Sequence, residues 1–125
     1  MIVIDASAVL EILSRTTKGV ELEVALLDRD LHAPHLIDLE VLNAVRRWER
    51  TGVIGPAEAT AILNAFLAVR ITRYSHTPLI DPIWALRHNL TAYDAAYLAL
   101  AQALDAELVT MDSGLRKMAT RKNRR

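Results

Sequence analysis

Four acidic residues of the chain occupy positions where a carboxylate could belong to a catalytic site rather than only to a solvated surface. Asp5 and Asp112 each come just after a short apolar run of the kind that forms a buried strand. Glu40 lies between apolar residues of a helical pattern, and Asp94 lies near the start of another. Carboxylates that gather in one place need a counter-charge, and a hard divalent cation with oxygen ligands, Mg²⁺ or Mn²⁺, is the natural choice. Such a cation activates water for attack on a phosphate, so the acids predict metal-dependent hydrolysis if the fold brings them together.

Each acid also has a purely structural explanation, which the sequence leaves open. Asp5 and Asp112 are suited to cap the helices that follow them, because Asp accepts hydrogen bonds from the free N–H groups of a first turn. Thr91 and Asp94 have the spacing of a capping box, although Glu or Gln is the usual second member. Glu40, if buried, needs a cation or a hydrogen-bond donor. These explanations do not account for the repetition of acids at strand ends and helix starts.

Short strands alternate with helical patterns, which is the arrangement of an α/β domain with a mostly parallel sheet. The predicted strands are Met1–Ile4, Leu31–Ala33, Val69–Tyr74 and Glu107–Thr110. The predicted helices are Ala6–Ser14, Val20–Leu27, Leu36–Arg50, Pro56–Leu67, Pro82–His88, Ala92–Leu104 and Ser113–Met118, with Lys18 and Gly19 linking the first two. Sites in such sheets form beyond the carboxyl ends of the strands, so the four acids are expected at one edge.

The composition indicates a single intracellular domain. The chain has 125 residues, 52% of them hydrophobic, and contains no cysteine, which excludes disulfides and cysteine-based zinc sites. We find no apolar run of the ~18 residues that a membrane span needs, and no signal-peptide layout, so a cytoplasmic protein is expected.

Charge is balanced over the whole chain but not along it. The last ten residues, RKMATRKNRR, carry six basic residues and no acid. We therefore expect a domain over residues 1–118 and a basic, poorly ordered tail over residues 119–125, which either is solvated or touches nucleic acid.

Other catalytic signatures are absent. The chain has no G-x-S-x-G elbow, no Walker loop and no G-x-G-x-x-G run. The sequence leaves a Ser/His pair open, but no elbow motif supports one. The four histidines lack helical ligand spacing and are interpreted as structural or surface residues; they are His32, His35, His76 and His88.

Four motifs, in order from residue 2 to about residue 115, carry a resemblance to a known family. They are Ile-Asp5-Ala-Ser7-Ala, Leu-Glu40-Val-Leu-Asn, Thr91-Ala-Tyr-Asp94-Ala-Ala-Tyr-Leu-Ala-Leu-Ala, and Leu-Val-Thr110-Met-Asp112 with Leu115. Together they resemble PIN-domain proteins, and most closely the VapC toxins of bacterial toxin–antitoxin pairs. This resemblance implies a PIN-like three-layer α/β/α fold with a central sheet of 4–5 strands. Relatives commonly continue into a further strand, but no strand-like run follows Met118 here.

The resemblance also implies an activity. A protein of this kind is a toxic endoribonuclease that uses Mg²⁺ or Mn²⁺ to hydrolyse phosphodiesters of structured RNA, such as tRNA or ribosomal RNA, leaving a 3′-hydroxyl. Its catalytic acids here would be Asp5, Glu40, Asp94 and Asp112. Asp5 and Asp94 would be the firmest metal ligands, and Asp112 would bind directly or through water. Glu40 would help to hold a metal or orient the attacking water.

Supporting residues and partners follow from the same resemblance. Ser7 and Thr110 look like hydroxyls that hold the metal ligands in place. The sequence itself, rather than the resemblance, makes Arg15, Arg46 and Arg47 candidates for RNA phosphate contacts, although an ordinary solvated surface position is the better explanation of each. The expected partners are RNA, a second copy of the chain and a small antitoxin that reaches into the acidic site with a basic side chain. The alternatives are a PIN-like binding module that acts through an antitoxin complex and a housekeeping RNA-processing nuclease.

Overall fold

The fold is built around a four-stranded parallel sheet. The computed structural model describes residues 1–123 of the chain, with side chains through Thr120. The strands are β1 (Ile2–Ile4), β2 (Leu31–Pro34), β3 (Ile71–Tyr74) and β4 (Glu107–Val109), in the order β3-β2-β1-β4. Val3 pairs in register with His32 of β2 and Leu108 of β4. The predicted strands and the α/β fold class are confirmed.

Helices connect successive strands. Residues 1–123 form seven α-helices and a short 3₁₀ turn at Thr77–Leu79. The α-helices are α1 (Ala6–Leu13), α2 (Thr17–Ala25), α3 (Leu36–Arg50), α4 (Pro56–Ala68), α5 (Ile80–Ala85), α6 (Ala92–Ala103) and α7 (Ser113–Asn123). Helices α1 to α4 pack against one another, whereas α6 packs on β1, β2 and β4 and contacts α5 and α7. None of the helices in this described range is long and apolar enough to cross a membrane.

Strand β1 and helix α6 form the centre of the core. The three side chains of β1 are almost completely buried, and so is every residue from 95 to 101 of α6. Four of those α6 residues are alanines, namely Ala95, Ala96, Ala99 and Ala101. Small side chains let a helix axis approach its neighbours closely, so α6 keeps its first turn near the ends of the strands.

The strand order reverses at β1. From β1 the chain moves to β2 and then β3 on one side, and it returns to place β4 on the other side of β1. In open parallel sheets the carboxyl ends of strands at such a reversal are where ligands bind. Asp5 follows β1 and Asp112 closely follows β4, so these two acids flank the reversal.

The boundary of α2 differs from the sequence prediction. Lys18 and Gly19 were expected to link two helices, but α2 already begins at Thr17, because the Thr16 hydroxyl caps the helix by accepting from the Gly19 N–H at 2.9 Å. Gly19 is needed inside the helix for space rather than for a turn. A Cβ at this position would lie 2.1 Å from the backbone oxygen of Glu11.

Two later helices also have different ends from those predicted. Helix α5 covers Ile80–Ala85 rather than Pro82–His88, because the 3₁₀ turn leads directly into it. Helix α7 begins at Ser113 as predicted but continues to Asn123, well past Met118. Residues 119–123 of the expected tail are therefore helical, and residues 124–125 lie outside the described residues. The disorder predicted for the end of the tail stays a prediction.

The close approach of α6 to the sheet gives a test of the fold. We expect Ala99→Leu to lower the free energy of unfolding by about 1–3 kcal/mol, because extra methyl groups in a filled core force neighbouring side chains apart. Ala103→Leu, the same change at an exposed position of α6, is the matched control and should be almost neutral. Urea unfolding of both variants measures the difference. Equal stability of the two variants would contradict the packing described here.

Candidate active site

Asp5 is the most firmly held acid of the chain. It is only 5% exposed and follows β1 directly. Its Oδ1 accepts hydrogen bonds from the Ser7 hydroxyl at 2.7 Å and the Ala8 N–H at 3.0 Å, and its Oδ2 accepts from the Thr110 hydroxyl at 2.5 Å. The bond from Ala8 makes Asp5 the N-cap of α1. Asp5 therefore is a helix cap, and it also has a lone pair of Oδ2 left for another partner.

Ser7 and Thr110 join the ends of β1 and β4 around this carboxylate. Besides donating to Asp5, the Ser7 hydroxyl accepts from the Met111 N–H at 2.9 Å, and the Thr110 hydroxyl accepts from the Asp112 N–H at 3.0 Å. Their two oxygens lie 3.3 Å apart, but both protons already point to Asp5. The hydroxyls thus fix the position of Asp5 relative to the loop that carries Asp112.

Asp112, like Asp5, caps a helix and also has carboxylate capacity left for another partner. Its Oδ1 accepts from the Leu115 N–H at 2.8 Å, which caps the start of α7. Leu115 is 1% exposed and anchors this first turn in the core. The capping bond uses one carboxylate oxygen, and in the described part of the chain no hydrogen bond reaches the other.

Asp94 is held at the start of α6 through its backbone rather than its side chain. The Thr91 hydroxyl caps α6 by accepting from the Asp94 N–H at 3.2 Å. Within residues 1–123 no donor hydrogen bonds to the Asp94 carboxylate, so the pair is not a reciprocal capping box. Burial raises the pKa of Asp94 above its ordinary value, and the negative charges of Asp112 and Asp5 raise it further.

Glu40 lies in the second turn of α3 and is partly buried. Its Oε1 accepts a hydrogen bond from the Tyr97 hydroxyl at 2.6 Å. Burial raises the pKa of Glu40, the bond from Tyr97 opposes that rise, and the charges of Asp94 and Asp5 add to it. The sequence identified Glu40 as an acid in need of a donor, and the structure identifies the donor.

The structure brings the four predicted acids within electrostatic reach of one another. The charges of Asp112 and Asp5 repel the Asp94 carboxylate, and those of Asp94 and Asp5 repel the Glu40 carboxylate. Among the described residues, no three His, Asp or Glu side chains lie close enough together to hold a metal ion as they stand. The edge is an acidic, mutually repelling cluster whose members are held apart.

The three arginines predicted to contact RNA are all exposed on the surface. Arg15 lies between α1 and α2 and forms an exposed ion pair with Glu23 of α2 at 3.0 Å. Arg46 and Arg47 are exposed on α3, and neither forms an ion pair with an acid of the described chain. Among the histidines, His32 is buried and its Nδ1 hydrogen bonds to the Tyr74 hydroxyl at 2.7 Å, which fits the structural role expected for it.

Tyr97 is the site residue that the sequence analysis missed. It is one turn after Asp94 on α6 and only 1% exposed. A buried tyrosine hydroxyl nearly always has a hydrogen-bond partner. The signal was therefore available as a tyrosine among buried alanines and leucines, but its partner on α3 could not be identified from local spacing.

Known proteins are similar to this chain in sequence and in fold. A family model described as PIN domain matches residues 2–121, and the chain belongs to that family. The relatives it matches over most of its length are VapC ribonucleases. Ribonuclease VapC1 of Mycobacterium tuberculosis is 44% identical over 115 residues, covering 90% of this chain and 86% of the relative. VapC ribonuclease Mb0985 of Mycobacterium bovis is 41% identical over 112 residues, with 90% and 86% coverage.

A solved structure agrees with the PIN-type architecture. The crystal structure of Mycobacterium tuberculosis VapC20, a sarcin–ricin loop cleaving toxin, superposes with a TM-score of 0.69. The match covers 94% of this chain and 95% of that one at 13% sequence identity, so it supports the fold alone. The resemblance inferred from the four motifs is confirmed.

The repulsion between the acids predicts how stability depends on pH. Since the pKa of Asp94 is raised on folding, the folded state binds its proton more tightly, and the ionised carboxylate destabilises the metal-free protein at neutral pH. We expect Asp94→Asn to raise the free energy of unfolding at pH 7 by less than about 1 kcal/mol, because solvent screens a partly exposed group. The gain should disappear below about pH 4, because the folded carboxyl, with its raised pKa, is protonated first as pH falls and the unfolded carboxyl is protonated after it.

Urea unfolding in EDTA at both pH values measures this effect. Asp81→Asn is the matched control, because Asp81 is also a first-turn acid, of α5, and is exposed. A gain for Asp81→Asn as large as that for Asp94→Asn, or no gain for Asp94→Asn at neutral pH, would contradict the electrostatic picture.

Proposed function

We propose that the chain is the toxin of a toxin–antitoxin pair and hydrolyses structured RNA at the acidic edge of its sheet with Mg²⁺ or Mn²⁺. The chain is an endoribonuclease of the VapC type, as its relatives at 41% and 44% identity over most of its length support. The observation that carries the chemical assignment is the placement of Asp5, Asp94 and Asp112 at three helix starts beside β1, with Glu40 near them.

The donor chemistry of the edge fits a hard divalent cation. Every candidate ligand is a carboxylate, and Mg²⁺ and Mn²⁺ prefer oxygen ligands. Asp94 accepts no hydrogen bond within the described chain, and Asp5 retains a lone pair on Oδ2. A cation would also relieve the like-charge repulsion that raises the pKa of Asp94 and Glu40.

The roles of the four acids follow from how each is held. Asp5, Asp94 and Asp112 would hold the cation, with Asp112 binding directly or through water. When bound, the cation supplies a more acidic water and stabilises the charge that develops on the phosphate. Ser7 and Thr110 hold Asp5 in a fixed position through their hydrogen bonds to its two oxygens.

Glu40 is suited to orient the attacking water. One of its oxygens is occupied by the Tyr97 hydroxyl, and the other accepts no hydrogen bond in the described part of the chain. The raised pKa of Glu40 brings the carboxyl closer to the range in which it exchanges a proton with water. Hydrolysis that leaves a 3′-hydroxyl and a 5′-phosphate requires such a water in line with the departing oxygen.

RNA binding and protein partners complete the proposal. We expect exposed Arg46 and Arg47 to contact phosphates weakly, so binding should weaken as salt rises. An antitoxin that inserts a cationic side chain between the acids would neutralise the same repulsion as a metal. Exposed apolar side chains on α5 and α6, Ile80, Trp84 and Tyr93, are consistent with protein contacts, including a homodimer. We expect the protein to act in the cytoplasm, where its RNA substrates are.

The proposal predicts loss of cleavage when one acid loses its charge. We expect Asp94→Asn to reduce Mn²⁺-dependent cleavage of a pooled cellular RNA by about 100-fold or more, because removing a charge aimed at the reacting groups has effects of this size. Sequencing of the RNA ends after brief expression gives the cut sites and the rate. Omission of divalent cations should abolish cleavage by the parent protein.

Asp81→Asn is again the control, because it changes the same residue type outside the site. It should cleave at the parent rate and cause the same growth arrest. An Asp94→Asn protein that cleaves as fast as the parent, or a parent protein that cleaves equally well in EDTA, would overturn the proposed mechanism.

A further inference from the structure

Tyr97 is the described hydroxyl that links the helix carrying Asp94 to Glu40. Its O–H donates to Glu40 Oε1 at 2.6 Å, a bond that joins α6 to α3 across the site. The Tyr97 ring is 1% exposed and belongs to the hydrophobic core, so the hydroxyl has almost no freedom to move. We propose that Tyr97 is the positioning residue that holds Glu40 against its acidic neighbours for catalysis.

The need for such a restraint follows from the charges around Glu40. Asp94 and Asp5 both repel its carboxylate. Glu40 is only partly buried and is in a surface-accessible turn of α3, so an unrestrained side chain would rotate away toward solvent. A short hydrogen bond to an ionised group is among the stronger ones in proteins and opposes this rotation.

Tyr97 is well suited to be a permanent donor. Burial and the adjacent Glu40 raise the pKa of Tyr97 far above its ordinary value, so its hydroxyl keeps its proton at any physiological pH. The backbone N–H of Ala6, next to Asp5, favours the charged form of the same oxygen. The hydroxyl therefore remains a hydrogen-bond donor to Glu40.

The role is distinct from packing, which the ring supplies by itself. Tyr97→Phe keeps the ring and removes only the donor. Because this inference rests on the proposed ribonuclease function, we expect the variant to lower kcat for RNA cleavage about 10- to 100-fold, the cost of a misplaced catalytic group. KM for RNA should stay within about twofold, since Tyr97 is buried away from the RNA surface.

A double-mutant cycle separates action through Glu40 from a general effect on the fold. In a Glu40→Gln background, Tyr97→Phe should cause no further loss of kcat, because the group that it positions is already disabled. Tyr74→Phe is the matched control: it removes another hydroxyl that is hydrogen bonded to a buried side chain, His32, and should leave kcat unchanged. Two results would overturn the proposal. One is that Tyr97→Phe lowers kcat as much in the Glu40→Gln background as it does in the parent protein. The other is that the single variant Tyr97→Phe has a kcat within twofold of the parent value.

A measurement on the metal-free protein keeps this inference separate from the proposed function. We expect Tyr97→Phe to shift the ¹³C resonance of the Glu40 carboxyl, assigned by its absence in Glu40→Gln, and Tyr74→Phe to leave it unchanged. An unshifted resonance would overturn the positioning role even if the parent protein cleaves RNA. A shifted resonance in a protein that cleaves no RNA would support the contact and reject the ribonuclease assignment.

Discussion

The electrostatic repulsion between carboxylates at one edge of a parallel sheet is the constraint on which this site depends. Four carboxylates that repel one another would move apart if their backbones and side chains were free to move. The chain resists this separation by anchoring each acid to a different part of the core. Asp5 extends from the buried strand β1, Asp94 lies at the start of the buried helix α6, and Asp112 is fixed by the turn that leads to buried Leu115.

The same hydrogen bonds serve the fold and the site. Asp5 and Asp112 cap α1 and α7, so the acids that we propose as cation ligands also satisfy free N–H groups at helix starts. The structural and the functional explanations of Asp5 therefore hold together rather than compete. Asp94 is the exception, because Thr91 caps α6 and leaves the Asp94 carboxylate without a donor in the described chain. Because the Asp94 carboxylate does not cap the helix, replacing Asp94 removes a charge without removing a cap. Asp94 is therefore the clearest position at which to test function.

The sequence predicted the four strands, the fold class and the four acids because these features are local or repeat along the chain. It could not predict the contact of Tyr97 with Glu40, which are 57 residues apart. The family resemblance gave Thr110 as a supporting hydroxyl, but only the structure identifies its partner as Asp5, 105 residues away. The start of α2 was predicted wrongly because Gly19 was interpreted as a linker, whereas Glu11 leaves room only for glycine there. The catalytic roles of the acids depend on a cation and a substrate, and they stay predictions.

The central claim is that the acids at this edge share one divalent cation, and its most direct test is anomalous diffraction from crystals of the protein soaked in Mn²⁺. We expect a single strong manganese peak or a close pair of peaks in contact with Asp5 and Asp94, with Asp112 bound directly or through water. The Thr110–Asp5 hydrogen bond should be retained in that structure, because it leaves an Oδ2 lone pair for the metal. Manganese bound only elsewhere, or no peak at saturating Mn²⁺ with the four acids unchanged, would contradict the account.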